Sequence, residues 1–105
     1  MANSKPRTRS EAQIKRDIRA WLTRWKSEGA PVSWFWPAGG AFGKSGVEDL
    51  VLCIGGIYVA VEVKRPGGQL TPLQAARAAD VSRSGGVSAR VESVEQFKDL
   101  ISGFV

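Results

Sequence analysis

Histidine is absent from this chain of 105 residues, and cysteine occurs once. The lack of histidine excludes Ser-His-Asp triads, histidine-ligated zinc sites and histidine-metal nucleases. A single cysteine permits neither an intramolecular disulfide nor a multi-cysteine zinc site, and such usage is typical of a reducing cytosol. Any chemistry must therefore come from carboxylates, amines, hydroxyls and a hard metal ion.

Long apolar runs are also missing, and we expect no secretory signal. No run reaches membrane-spanning length, and the stretch from Met1 to Ser10 is polar and basic. The length fits one small domain with a modest core. The net charge of +5 favours a polyanionic partner such as nucleic acid, although charge does not separate an enzyme from a binding module. We expect a cytoplasmic protein without a membrane partner.

Two β-rich runs flank Gly55 and Gly56, and this arrangement predicts a β-hairpin. If these two glycines form the whole loop, Leu50 faces Val61 and Asp49 faces Glu62. Because side chains alternate along a strand, one face of the hairpin is apolar and belongs to the core. The residues predicted on this face are Leu50, Leu52, Ile54, Ile57, Val59, Val61 and Val63.

The opposite face of the hairpin would bring two carboxylates together. Asp49 and Glu62 would oppose each other on an otherwise largely apolar face, where like charges repel. A divalent cation between them relieves that repulsion. Lys64 lies two residues beyond Glu62 on the same face. Two acids and a lysine around a metal are typical of a phosphodiester-cleaving site. The alternative is that Asp49 caps the hairpin and that Glu62 and Lys64 form a solvated pair on an exposed face.

The motif around this pair resembles a known nuclease family. The segments Gly46-x-x-Asp49, Glu62-x-Lys64 and Pro66-Gly67-Gly68-Gln69-Leu70-Thr71-Pro72-Leu73-Gln74 are similar to the VRR-NUC (virus-type replication-repair nuclease) domain of the PD-(D/E)xK superfamily. One departure is Glu48, which stands where that family usually has proline. Proline there shapes the start of the strand and binds nothing, whereas an added carboxylate could perturb metal binding.

The resemblance implies a metal-dependent nuclease that uses Mg²⁺ or Mn²⁺. The implied ligands are Asp49, Glu62, the carbonyl of Val63 and, directly or through water, Glu11. The metal would polarise the scissile phosphate and help to generate hydroxide. Lys64 would position the attacking water and offset charge on the phosphate, and Gln74 would point into the active site. Products with a 5′-phosphate and a 3′-hydroxyl are implied by the superfamily.

The first predicted helix begins at Ser10, because Ser10-x-x-Gln13 is a capping box. An apolar stripe continues at helical spacing to about Ser27, where glycine and proline follow. Glu11 lies on the inward line of this stripe, where an acid also suits the helix dipole without any catalytic role. Lys15 and the other basic residues lie mostly off the stripe. The stripe consists of Ile14, Ile18, Trp21, Leu22 and Trp25, and both tryptophans are interpreted as core.

Basic residues near the predicted site and in the N-terminal segment are candidates for DNA contact. The candidates are Lys5, Arg7, Arg9, Lys44 and Arg65. Residues 1–9 are interpreted as a flexible basic arm that touches backbone phosphates, and a solvated tail fits equally well. Lys44 lies in a glycine-rich segment before Asp49, which suits contact with the DNA backbone.

The glycine-rich segment also resembles a different motif. Ala38-x-x-x-x-Gly43-Lys44-Ser45 is one residue from a phosphate-binding P-loop. A P-loop requires a following helix whose amides bind the phosphates, and a hairpin is predicted here instead. A P-loop nucleotide-binding protein is therefore the weakest alternative.

The predicted order of elements is α-β-β-β-α-β-α. Thr71-Pro72-x-Gln74 caps the second helix, and a short strand from Val87 to Val91 carries outward Ser88 and Arg90. The first six elements match the restriction-endonuclease-like αβββαβ core that the resemblance implies. We therefore expect an α/β fold with a central mixed sheet flanked by helices, as one nuclease domain over residues 10–105.

The resemblance also suggests a substrate and an assembly. Stand-alone domains of this family resemble phage and junction-resolving nucleases, so branched DNA such as a Holliday junction is the expected substrate, in a bacterial or phage-infected host cytosol. A homodimer is expected because Phe104-Val105 and parts of the Val32–Trp36 strand are hard to bury in one subunit. The alternative outside catalysis is a silent nucleic-acid-binding module with a nuclease-like fold.

Overall fold

The structure of the protein, a computed structural model, describes residues 8–38 and 48–104. Its elements are α1 (Glu11–Ser27), β1 (Val32–Phe35), β2 (Leu50–Ile54), β3 (Ile57–Val63), α2 (Pro72–Arg83), β4 (Val87–Val91) and α3 (Val94–Ser102). This is the predicted order. The predicted DNA contacts Lys5, Arg7 and Lys44, and the apolar Val105, lie outside the described residues.

Side-chain caps determine where α1 and α2 begin. Ser10 Oγ accepts a hydrogen bond from the N–H of Gln13 at 3.1 Å, and Gln13 Oε1 accepts from the N–H of Ser10 at 2.8 Å. Thr71 and Gln74 form the same reciprocal pair at 3.1 and 2.9 Å. These bonds satisfy N–H groups that have no partner inside the helix. Both predicted capping boxes are confirmed.

The four strands form one mixed sheet in the order β1-β2-β3-β4. β2 pairs antiparallel with both β1 and β3, whereas β3 and β4 are parallel and connected through α2. The hairpin has the predicted register, with Leu50 opposite Val61. Gly55 and Gly56 make its turn with φ of 55° and 88°, which two-residue hairpin turns require. The expected α/β fold with a mixed sheet is confirmed.

The core lies between one face of the sheet and the pair α1 and α3. The buried cluster there consists of Ile14, Ile18, Leu22, Val32, Leu50, Leu52, Ile54, Val59, Val61, Val63, Val91, Phe97 and Ile101. Trp21 and Trp25 stack with ring centroids 5.2 Å apart, and Trp21 meets Phe97 edge to face at 5.9 Å. The interpretation of both tryptophans as core is therefore confirmed.

Helix α2 covers the opposite face of the sheet, and this corrects two predictions of side-chain direction. Ser88 and Arg90 do not point into solvent; both are half-buried and line a cavity beneath α2. The reason is that a parallel pair of strands lies under its own crossover helix. Ile57 was expected in the core but is 41 % exposed, because it adjoins the hairpin turn at the rim of the sheet.

The β1 edge of the sheet has its own protection. The N–H of Gly55 bonds to the carbonyl of Pro31 at 3.0 Å, so the polar groups of the next residue, Val32, point away from β2. Lys26 Nζ donates to that outward Val32 carbonyl at 2.6 Å, and the Val32 N–H donates to Ala30 at 2.9 Å. The outward backbone groups of Val32 are therefore satisfied and do not recruit another strand.

Among the described residues, no helix is long and apolar enough to cross a membrane.

Candidate functional site

Asp49 and Glu62 meet at the open end of the β2–β3 hairpin. Asp49 directly precedes β2, and continuation of the register places it opposite Glu62. Asp49 Oδ2 accepts a hydrogen bond from the N–H of Val63 at 2.9 Å, so the main chain of β3 orients the carboxylate. The structure thus brings together the two acids that the hairpin register predicts.

The electrostatic state of Glu62 reflects this juxtaposition. Burial, a hydrogen bond with Asp49 and the charge of Asp49 together raise the pKa of Glu62 to about 8. The ammonium groups of Lys64 and Lys15 act in the opposite direction. Glu62 therefore keeps its proton at neutral pH in the metal-free chain, and a bound cation would displace that proton.

Lys15 provides a contact that the sequence analysis missed. Its Nζ lies 3.0 Å from Asp49 Oδ1, and 32 % of its side chain is exposed. The apolar stripe of α1 places Lys15 on the side of the helix next to the stripe. That placement does not predict which residue of the sheet Lys15 contacts. One signal was present: Lys15 follows Glu11 by four residues, so the two lie on the same side of α1.

Glu11 lies in a groove beside the site. It is half-buried at the start of α1 and lines a groove of about 680 Å³ with Arg9, Arg65 and Pro66. Within residues 8–38 and 48–104, no three Asp, Glu, His or Cys side chains lie close enough to form a metal-binding group. The role of Glu11 as a metal ligand stays a prediction.

The predicted basic residues of this region differ in their surroundings. Lys64 is half-buried, and its N–H donates to the carbonyl of Val91 at 2.9 Å, which continues the β3–β4 pairing and fixes the backbone at this residue. Arg65 is exposed. Arg9 forms an ion pair with Asp17 at 2.9 Å, so its guanidinium is partly neutralised within the chain.

A cavity of about 200 Å³ separates α2 from the sheet next to Glu62. Its walls are mostly small side chains, and Gln74, Arg90 and Glu48 add polar groups. The Gln74 Oε1 atom accepts the Thr71 N–H at 2.9 Å, so the amide nitrogen is the group that can donate toward the cavity. Gln74 and Glu62 both line this cavity.

Glu48 is buried, with 6 % of its surface exposed. Its Oε2 atom accepts a hydrogen bond from Arg77 Nε at 2.8 Å, and its Oε1 atom accepts from the Tyr58 hydroxyl at 3.3 Å. The hydrogen bond and charge of Glu48 raise the pKa of Arg77 above its already high usual value. The extra carboxylate before Asp49 is thus neutralised by the chain itself.

The topology of the described residues does not support the P-loop alternative. Gly43, Lys44 and Ser45 lie outside the described residues, and the first described element after them is β2, which begins at Leu50. A strand offers no row of N-terminal amides for phosphate.

The residues at the hairpin end fit a hard divalent cation. Asp49 and Glu62 supply carboxylate oxygens, which Mg²⁺ and Mn²⁺ prefer. The pKa of Glu62 is raised first by burial and then by its hydrogen bond to Asp49 and the charge of Asp49. Val63 belongs to the same corner through its bond to Asp49. The donor set is therefore suited to the metal that the sequence resemblance implies.

Comparison with known proteins agrees with this fold. A solved structure described as a "VRR_NUC domain" superposes on the chain with a TM-score of 0.66 and 23 % identity, covering 90 % of this chain and 97 % of that one. No protein-family model and no curated protein matches the chain. The protein has the nuclease-like fold of a VRR_NUC domain, as its sequence motif indicates.

The stability of the metal-free protein should fall as pH rises from about 4.5 to about 8. Glu62 releases its proton near 4.5 when unfolded and near 8 when folded. Between these values the folded state binds more protons than the unfolded state, so the free energy of unfolding decreases with pH; below 4.5 the dependence on this group disappears. Urea denaturation across this range, with chelator present, measures it.

Glu62→Gln is the control for this pH dependence. The amide cannot titrate, so the variant should lose most of the decrease between pH 4.5 and pH 8. An equal slope in both proteins would show that Glu62 does not carry the shifted pKa.

Proposed function

We propose that the chain is a divalent-metal-dependent DNA nuclease that hydrolyses phosphodiester bonds. The observation that carries this proposal is the Asp49–Glu62 pair, in which a buried carboxyl with a pKa near 8 contacts a second acid. The pair stands on a nuclease-like fold with Lys64 next to it along the strand. Carboxylates forced together beside an amine are suited to metal-assisted phosphoryl chemistry.

Asp49, Glu62 and the carbonyl of Val63 would hold Mg²⁺ or Mn²⁺, with Glu11 as a further ligand. When bound, the divalent cation supplies Lewis-acid polarisation of the scissile phosphate. The Val63 N–H keeps the Asp49 carboxylate oriented at 2.9 Å. Hydrolysis in this class leaves a 5′-phosphate and a 3′-hydroxyl.

Lys64 and Gln74 would act from the protein side of the reaction. The Lys64 ammonium positions the attacking water and offsets the charge that develops on the phosphate. Its backbone is fixed by the bond to Val91, so the side chain starts from a rigid point. The Gln74 amide nitrogen would donate from α2 toward the same corner; Gln74 and Glu62 line one cavity, which supports this role.

DNA would bind through its backbone phosphates. The net charge of +5 supports attraction to a polyanion, and Arg9 and Arg65 line a groove that contains Glu11. Lys5, Arg7 and Lys44 are the further proposed contacts. The sequence has no zinc finger or helix-turn-helix, so selectivity rests on DNA shape, and branched DNA is the proposed substrate.

Cleavage of a panel of labelled DNA molecules tests the function. Linear, flap and four-way substrates are incubated with Mg²⁺ or Mn²⁺ and with chelator. We expect metal-dependent cleavage that is fastest on the four-way junction. Binding without cleavage of any substrate, with either metal, would contradict the proposed activity.

A second candidate function is a silent nucleic-acid-binding module. The contact that favours it is Lys15 Nζ at 3.0 Å from Asp49, because an internal ammonium can neutralise that carboxylate without a metal. Calorimetric titration with Mn²⁺ separates the two functions. Heat of binding at the carboxylate pair supports the nuclease, whereas DNA binding without metal binding supports the module.

The proposed enzyme acts as a homodimer that nicks both strands of a junction. Phe35 is 59 % exposed and Tyr58 is 41 % exposed, and both line one groove on the α2 side of the sheet. Such exposed aromatics suit a protein interface. The sequence pattern predicts that Phe104, like parts of Val32–Trp36, is hard to bury in one subunit. In the structure, Phe104 packs against the core. Lys26 protects the β1 edge at Val32, so the face around Phe35 is the proposed contact.

Light scattering at micromolar concentration should give twice the chain mass of 11.3 kDa. Phe35→Ser should shift the protein to monomer, because it removes the most exposed aromatic of the face. Leu73→Ser, at a 58 % exposed position on α2, is the control and should stay dimeric. A monomeric wild type, unchanged by added DNA, would exclude the dimer.

A further inference from the structure

We propose that the ion pair between Glu48 and Arg77 is a positioning device for the active site. It fixes the start of β2, which carries Asp49, and it holds α2 with Gln74 over the Asp49–Glu62 pair. Glu48 and Arg77 are thus positioning residues rather than catalytic ones. The inference rests on the proposed nuclease function and adds residues that the sequence motif does not include.

Glu48 connects three elements of the fold. Its carboxylate accepts from Arg77 Nε on α2 at 2.8 Å and from the Tyr58 hydroxyl on β3 at 3.3 Å, and its own backbone leads into β2. Arg77 is 29 residues away in sequence, so this bond joins distant parts of the chain. A charge-assisted bond to a carboxylate that is 6 % exposed is both strong and directional.

Helix α2 needs such an anchor because its apolar contacts are few. Val81, in its last turn, is the buried residue of α2, and Leu73 in the first turn is 58 % exposed. Small residues and the cavity of about 200 Å³ separate the middle of α2 from the sheet. Apolar burial therefore fixes the end of α2 but leaves its beginning, where Gln74 lies, to polar contacts.

Arg77 is well placed to fix Gln74. It follows Gln74 by three residues, which is close to one helical turn, so both side chains leave α2 on one side. Gln74 and Glu48 line the same cavity as Glu62. One ion pair therefore sets the distance between the Gln74 amide and the two acids, since Glu48 is covalently linked to Asp49.

The same contacts exclude Glu48 as a metal ligand. Both of its oxygens accept hydrogen bonds, and a cation would have to displace Arg77 or Tyr58 to reach them. The Glu48 carboxylate therefore does not compete for the metal, because it is bonded to Arg77 of α2.

The test compares Arg77→Met with Arg83→Met. Methionine keeps much of the length of arginine and removes the charge. Arg83 lies on the same helix, 71 % exposed, with Asp80 at 3.5 Å, so its variant controls for the loss of one positive charge. We expect Arg77→Met to lower kcat about tenfold, with KM for DNA unchanged, as for lost supporting contacts behind an active site. Arg83→Met should match the wild type.

Hydrogen exchange provides a readout that does not depend on metal or turnover. In the metal-free chain, amides of α2 from Ala75 to Ala79 should exchange faster in Arg77→Met than in Arg83→Met, whereas α1 amides should not change. A general loss of stability would instead raise exchange in both helices.

The double variant Glu48→Gln with Arg77→Met separates positioning from stability. It removes the buried charge together with its partner, so thermal stability should recover from that of Arg77→Met, while kcat stays low because α2 remains unattached. Recovery of kcat together with stability would overturn the inference, and so would an Arg77→Met enzyme with wild-type kcat. A wild type that cleaves no DNA would instead overturn the proposed function, and the inference with it.

Discussion

Asp49→Asn should abolish divalent-metal binding and reduce DNA cleavage by about a thousandfold or more, at the upper range for loss of an electrostatic element of an active site. The amide oxygen can still accept the Val63 N–H that now bonds to Asp49 at 2.9 Å, so the local backbone should keep its position. What the variant loses is the negative charge that attracts the cation. Calorimetry with Mn²⁺ and cleavage of a four-way junction measure the two effects.

Asp17→Asn is the matched control for this variant. Asp17 is an acid of the described region that pairs with Arg9 at 2.9 Å on the surface of α1. Its replacement changes the net charge of the protein by the same amount and should leave metal binding and cleavage unchanged. If Asp49→Asn bound Mn²⁺ with wild-type affinity, the carboxylate pair would not be the metal site.

Lys64→Ala should separate catalysis from binding. Lys64 is not a ligand in the proposed site, so affinity for the metal should remain close to that of the wild type. Turnover should fall about a hundredfold, which is the scale for a lost group that stabilises charge in the transition state. Single-turnover cleavage at saturating metal measures the rate without product release.

The control for Lys64→Ala is Lys98→Ala, which removes an exposed lysine on α3. It tests whether a lower positive charge by itself slows cleavage through weaker DNA binding. Cleavage by Lys64→Ala within a few-fold of the wild type would remove Lys64 from the mechanism.

The sequence predicted the parts of the site that depend on neighbouring residues. The register that opposes Asp49 to Glu62 follows from a two-residue glycine turn and the alternation of strand side chains. The capping box at Gln74 follows from four consecutive positions, Thr71 to Gln74. In each case a turn or a helix cap of a few residues determines the contact, so the contact can be predicted from the local sequence.

The contacts that the sequence could not predict join distant segments. Lys15 reaches Asp49 from α1, and Arg77 reaches Glu48 across 29 residues. Helical periodicity identifies the buried stripe but not the partners of its flanks, because those depend on how the helix packs against the sheet. The direction of Arg90 was wrong for a similar reason: a single strand does not reveal that the crossover helix covers the face opposite the core.

The hairpin that carries the two acids also affects how the chain folds. Pairing of β2 with β3 closes a two-residue turn, whereas β3–β4 pairing awaits the crossover helix and Lys15 arrives only when α1 docks. Local closure precedes distant closure in folding kinetics. The early nucleus therefore holds Asp49 against Glu62 before Lys15 is present. We expect metal-free refolding, followed by stopped-flow fluorescence, to accelerate on acidification from pH 8; a rate independent of pH would place hairpin closure after the rate-limiting step.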